Sequence, residues 1–188
     1  MMDHHHPRSG AAERAPASYG GGRLAIREIP DAARFSLRID PRALDDASKA
    51  YGVALPGTIG MATSGARIAV CLGPDEWYLV APPAEAEAIE DAFAALYATR
   101  IHSLVDIGHR EVGIEVSGAA APLALQAAIA FDVEAMPVGS GCRTIIDKVQ
   151  IVLLREAADR FRIEVWNSYA DHVWRLLRTV GREVDLGM

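Results

Sequence analysis

From Arg34 to Ile39 the chain alternates, with Phe35, Leu37 and Ile39 on one side and Arg34, Ser36 and Arg38 on the other. A period of two is the signature of a β-strand with two unlike faces. Leu24, Ile26 and Ile29 are strand-like. Apolar runs at 58–62, 67–72, 77–80, 103–107, 112–116, 142–146, 149–155 and 160–166 read as further strands, punctuated by turn residues such as Thr63-Ser64-Gly65-Ala66 and Asp147-Lys148. Between them the period changes. Ala86, Ile89, Phe93 and Leu96 recur at helical spacing within 84–98, with Glu and Asp opposite, which predicts an amphipathic helix. Asp40 before Pro41 reads as an N-cap with proline at the first helical position, starting a short helix to about Ala50. Ser117 reads as the N-cap of an alanine-rich helix over about 119–129. Asn167 or Ser168 reads as the cap of a last helix, 168–180, with Gly181 as its C′ residue. Strands in twos and threes separated by single helices predict an α+β protein, mostly antiparallel sheet with packed helices. Both halves share this grammar without an exact repeat, which suggests a pseudo-duplicated body.

Length and charge narrow the choice. A chain of 188 residues buries roughly 70% of its unfolded surface and needs no disulfide staple. Residues 23–188 are expected to form a single α+β domain, divisible into two subdomains at about 23–100 and 101–181. Residues 1–22, rich in Gly, Pro, Ala and Ser, read as a flexible N-terminal arm. Net charge is −6, from 19 basic and 25 acidic residues, and the two lysines, Lys49 and Lys148, lie far apart. No nucleic-acid partner is expected, because phosphate neutralisation needs clustered cations. No run of about 18 apolar residues occurs and the start has no apolar leader, so no membrane association is expected and the location reads as cytoplasmic. Cys71 and Cys142 are too few for a disulfide framework and have no CxxC spacing.

The candidate chemistry is thin. His4, His5 and His6 can be read as a metal tract, or as a plain tail segment, native or left by cloning. Gly20-Gly21-Gly22 lacks the frame of a phosphate loop. The segment Asp106 to Arg110, with His102, is the densest polar cluster. Asp106 and His109 can be drawn as an acid/base pair, or as turn and interface polarity. Three histidines outside the tail, His102, His109 and His172, have no i, i+4 spacing that would favour a metal. Arg143, after a Gly-Ser-Gly bend, can hold an anion in a backbone nest or pair with a carboxylate. Lys148 reads as a turn residue. Trp166, Tyr169 and Trp174 crowd nine residues with aromatics, either as core or as a docking face. No catalytic, cofactor-binding or metal residue is assigned. Trp77, His109, Arg110, Arg143, Trp166, Tyr169 and Trp174 are the candidate interface or structural residues.

Four stretches carry a resemblance. Leu72-Gly73-Pro74-Asp75-Glu76-Trp77-Tyr78-Leu79 resembles the LGPDEWLL signature of the gamma subunit of heterotetrameric sarcosine oxidase. His109 to Gly118 is similar to its SHRxxxLxLSG segment, with Gly108 in place of the usual Ser. Phe131-Asp132-Val133, followed by Pro137-Val138-Gly139 and Cys142-Arg143-Thr144 through Lys148, resembles its central block. Phe161 to Tyr169 with Trp174 resembles its ending, with Asn167 where Arg is common. The stretches are colinear over about 24–180.

The resemblance implies a pseudo-duplicated fold of the aminomethyltransferase type (GcvT-like, also seen in YgfZ). Asp106 and His109 are similar to the DxSHxG turn of that wider group, whereas the YgfZ cysteine motif is absent. It also implies an enzyme complex that oxidatively demethylates sarcosine to glycine. FAD, FMN, NAD, zinc and tetrahydrofolate would lie on other subunits and none on this chain. The implied partners are the alpha, beta and delta subunits, alpha most directly, with self-association of the chain when isolated. A stand-alone folate-binding or aminomethyl-transfer module is the alternative.

Overall fold

The structure, a computed structural model, describes residues 18–20 and 22–187. Most of the arm, including the three-histidine tract and Gly21, lies outside the described residues.

Two antiparallel sheets dominate. The larger has the order β1-β2-β8-β11-β10-β9, built from β1 (Ser18–Gly20), β2 (Ala25–Glu28), β8 (Glu111–Ser117), β11 (Arg160–Trp166), β10 (Val149–Ala157) and β9 (Ser140–Ile146). The smaller has the order β4-β5-β6-β3-β7, from β4 (Gly60–Ser64), β5 (Arg67–Gly73), β6 (Glu76–Ala81), β3 (Ala33–Ile39) and β7 (His102–Asp106). Ser18–Gly20, read as part of the loose arm, pairs with β2 as an edge strand.

Alternation decides how the layers stack. On β3 and β6, Phe35, Leu37, Trp77 and Leu79 face α1 (Leu44–Tyr51) and α2 (Ala86–Tyr97), whose Ala47, Tyr51, Ile89 and Phe93 complete one core. On β8, β10 and β11, Ile114, Ile151, Leu153, Phe161 and Ile163 face α3 (Ala121–Gln126) and α4 (Asn167–Asp185), which contribute Leu125, Val173 and Leu177 to a second core. The remaining faces meet each other. Ile68, Val70, Tyr78, Val80, Val152 and Leu154 form a third cluster between the sheets. The order is therefore helices, sheet, sheet, helices. The central strands are covered on both sides, so their sequences run apolar with little alternation.

The chain enters α1 as expected. Asp40 accepts from the Arg42 N–H (2.9 Å), Pro41 takes the first position, and a 3-10 turn leads into the helix. Hydrogen bonds from Arg42 hold the Asp40 carboxyl down to about 2.

Three terminus readings are corrected. Ser117 ends β8, and its hydroxyl donates to Glu115 (3.3 Å); α3 starts after Ala120 without a side-chain cap. Neither Asn167 nor Ser168 caps α4, because both lie inside it. Gly181 does not end that helix, which runs on to Asp185. A Cβ at Gly181 would lie 2.7 Å from Tyr19 Cε1 and 3.2 Å from Leu24 Cδ2. The glycine is there to let the helix pass close to the β1–β2 edge, where Tyr19 also donates to Asp185 (2.5 Å).

Candidate functional site: a polar seam between the sheets

The polar faces of β3, β8 and β11 turn inward, toward the opposite sheet. Arg34 on β3 and Glu164 on β11 are each 1% exposed, and Glu111 on β8 is 7% exposed. An ionised group at such depth is costly unless it is paired, and here pairing runs across the sheets. Arg34 Nε donates to Glu164 Oε2 (2.7 Å), and its Nη1 donates to Ala32 O (3.1 Å). Arg162 Nε donates to the other Glu164 oxygen (2.5 Å). Tyr78 on β6 donates its hydroxyl to Glu111 Oε2 (2.5 Å), and Glu111 Oε1 accepts from Arg110 (3.2 Å). Gly113 makes room for this seam, since a Cβ there would meet Ile29 at 3.1 Å and Arg34 Nη2 at 3.2 Å.

The electrostatics follow from the burial. Desolvation, reinforced by the Glu164 and Glu111 charges, pushes the Tyr78 phenol well above its ordinary value, so it stays a donor. Burial pulls the Arg34 guanidinium down, but the charge and hydrogen bond of Glu164, with help from Glu111, outweigh it and leave it raised. The groups neutralise one another within the seam.

Beside the seam lies a cleft of about 220 Å³, lined among others by Ser36, Tyr78, Arg110, Glu111, Glu164 and Trp166. At its mouth Arg110 lies over the Trp166 ring (5.0 Å), and Trp166 lies 6.3 Å from Tyr169. Trp166 and Tyr169 are 41% and 47% exposed, whereas Trp174 is half-buried against the second core. Trp77 is fully buried, its indole N–H donating to Pro56 O (2.8 Å). Arg143 donates to Glu76, one of its bonds being 3.0 Å, which draws the carboxyl below its usual range and replaces the anion-nest reading.

The other candidates do not converge. Asp106 accepts from the Gly108 N–H (2.7 Å) rather than from His109, which stands exposed in the turn. His102 Nδ1 bonds to Arg100 O (2.7 Å), and its ring packs on Phe93 and Tyr97. His172 pairs with Asp147 (2.8 Å). Lys148 is exposed in the β9–β10 turn. Burial raises both thiols, Cys71 and Cys142, which disfavours the reactive thiolate. Among the described residues, no group of three or more His, Cys, Asp or Glu side chains is placed to hold a metal ion. Among the described residues, no helix is long and apolar enough to cross a membrane. Sequence reasoning missed Arg34, Tyr78, Glu111 and Glu164. The available signal was charged residues alternating with large apolar ones in strands that have no solvent-facing partner.

Two antiparallel sheets stacked between helices and joined by a polar seam define an α+β protein with an aminomethyltransferase-like fold. The fold is similar to the glycine cleavage system aminomethyltransferase T from Bartonella henselae, with a TM-score of 0.64 and 16% identity over 82% of this chain and 45% of that one. It is also similar to a chain of the heterotetrameric sarcosine oxidase from Corynebacterium sp. U-96 in complex with pyrrole 2-carboxylate. There the TM-score is 0.79 and identity is 23%, over 89% of each chain. The chain belongs to the sarcosine oxidase, gamma subunit family, which matches residues 38–183. Relatives named sarcosine oxidase subunit gamma include one from Corynebacterium sp. (strain P-1), 27% identical over 88% of this chain and 84% of its own length. Another, from Arthrobacter sp., is 26% identical over 79% and 75%.

Proposed function

We propose that this chain is a non-catalytic, structural subunit of a heterotetrameric sarcosine oxidase, packing on the alpha subunit of a complex that oxidatively demethylates sarcosine to glycine. One observation carries the reading: the family match runs through both sheets, from residue 38 to residue 183. The polar seam supports it, because its carboxylates are bonded to Arg34, Arg162, Arg110 and Tyr78 rather than left free for proton transfer. In this reading FAD, FMN, NAD, zinc and tetrahydrofolate are held by the other subunits, and the chain works in the cytoplasm as one α+β unit of two subdomains. Trp77 serves as core, while His109, Arg110, Trp166 and Tyr169 stand at the surface offered to the complex. Stable assemblies bury large faces with apolar centres. Affinity purification through a tag on this chain from its native cell tests the proposal. Alpha and beta subunits are expected in the eluate, and their repeated absence overturns it.

A second reading, a stand-alone folate-binding module, draws support from the cleft, whose wall carries the carboxylates Glu111 and Glu164. Calorimetry of the isolated chain with tetrahydrofolate separates the two, since micromolar binding favours the module.

A further inference from the structure

The smaller sheet ends in β7. Among the described residues, β7 pairs with β3 on one side and has no strand on the other. The Ile107 N–H donates to Arg34 O (2.8 Å), and backbone groups alternate along a strand. The N–H and C=O groups of His102, Leu104 and Asp106 therefore point to the open side. Proteins blunt such edges with Lys, Pro, bulges or very short strands. β7 has none of these: its five residues, His-Ser-Leu-Val-Asp, pair in unbroken register with β3. At the far end of the sheet, by contrast, β4 lies against β9.

Two further features converge on this edge. Ile101 and Val105 are 85% and 50% exposed on one side of this edge, and Tyr97, 57% exposed at the end of α2, packs on His102 on the other. Val105 is paired with Ser36 and shares its face, and Ser36 lines the inter-sheet cleft. The second feature is charge. Glu87, Glu90 and Asp91 on α2 crowd together with Asp106, and among the described residues no cation pairs with any of the four. Arg100, close in sequence, is engaged by Asp46 instead (2.7 Å).

We propose that the open edge of β7 is an assembly site. On it another subunit adds an extended strand, apolar at alternate positions and carrying Lys or Arg opposite the acidic group. This rests on the subunit reading above. Backbone bonding supplies affinity in strand addition, and alternate side chains supply specificity. A second copy of this chain is a poor occupant, because β7, His-Ser-Leu-Val-Asp, brings no Lys or Arg to set opposite the acidic group.

Hydrogen exchange on the intact complex, purified through this chain from its native cell, tests the site. The amides of Leu104 and Asp106 are expected to exchange at least about tenfold more slowly than unprotected peptide amides. Exchange at the unprotected rate overturns the proposal. The paired variants Ile101→Glu with Val105→Glu are expected to cut recovery of partner subunits at least about tenfold. Glu90→Lys with Asp91→Lys, on an exposed helix face, tests the charge without touching the strand and is expected to lower recovery as well. Full recovery with both pairs of variants overturns the proposal, as does protection that arises only in a homodimer of this chain. If wild-type chain recovers no partner, the subunit reading itself fails. If the complex forms with an unprotected edge, only the docking site fails.

Discussion

Replacing Arg34 by Met is the most direct perturbation of the seam. The side chains of Arg34 and Glu164 are 1% and 0% exposed, so the change leaves a carboxylate in the interior with one cation fewer. Removing one partner of a buried pair costs about 3–5 kcal/mol. Glu164 keeps Arg162 at 2.5 Å, which places the effect at the lower end, about 3 kcal/mol. In a domain of this size each kcal/mol moves Tm by about 2–4 °C, so a fall of roughly 6–12 °C is expected. Thermal unfolding of the purified protein, followed by tryptophan fluorescence, measures it. The triple variant Arg34→Met, Arg162→Met, Glu164→Leu removes every charge of the buried triad and is expected to recover at least half of the loss, since apolar replacement of a whole buried ion group is often neutral. A shift below about 2 °C for Arg34→Met, or a triple variant worse than the sum of its singles, would refute the claim that these ion pairs tie the sheets together.

Tyr78 and Tyr51 are both raised above the ordinary phenol value, chiefly by burial. Below pH 10 both stay protonated whether folded or unfolded, so their contribution is constant. Above pH 10 only the unfolded chain releases these protons, and stability falls by up to about 1.4 kcal/mol per pH unit for each. Tyr78→Phe is expected to flatten that alkaline slope by about one proton in urea titrations, and an unchanged slope contradicts the assignment. The tryptophans divide by burial. Trp77→Ala should cost about 3–5 kcal/mol, whereas Trp166→Ala at the exposed cleft mouth should cost less than about 1 kcal/mol while weakening assembly. Equal losses of stability would contradict that division. Arg143→Ala breaks a part-exposed pair with Glu76 and should change stability by at most about 1 kcal/mol in salt-dependent fashion; a large, salt-independent loss would show that the pair is part of the core.

Local rules made much of the fold legible. The alternation at Arg34–Ile39, the apolar spacing of Ile89 and Phe93, and the Asp40-Pro41 start are properties of short segments, and the structure keeps them. The misread termini depend on distant partners. Gly181 looks like a helix stop until Tyr19 and Leu24 pack against it, and Ser117 looks like a cap until Glu115 takes its hydroxyl. The seam was hidden for a related reason. Arg34, Ser36 and Arg38 do share a face, but nothing local says that this face meets another sheet, where Arg34 becomes a buried ion and Arg38 stays outside with Asp75 and Glu76. Trp77, a candidate for core or contact from the sequence, is 1% exposed, which depends on strands distant in the chain.

The central claim is that this polypeptide is a stoichiometric part of a larger oxidase and does no redox chemistry itself. Native mass spectrometry of the endogenous complex, with each component identified after dissociation, tests it most directly. One copy of this chain beside one alpha, one beta and one delta subunit is the predicted composition. A free monomer or homodimer, or a flavin that stays with this chain when the others are removed, would contradict it.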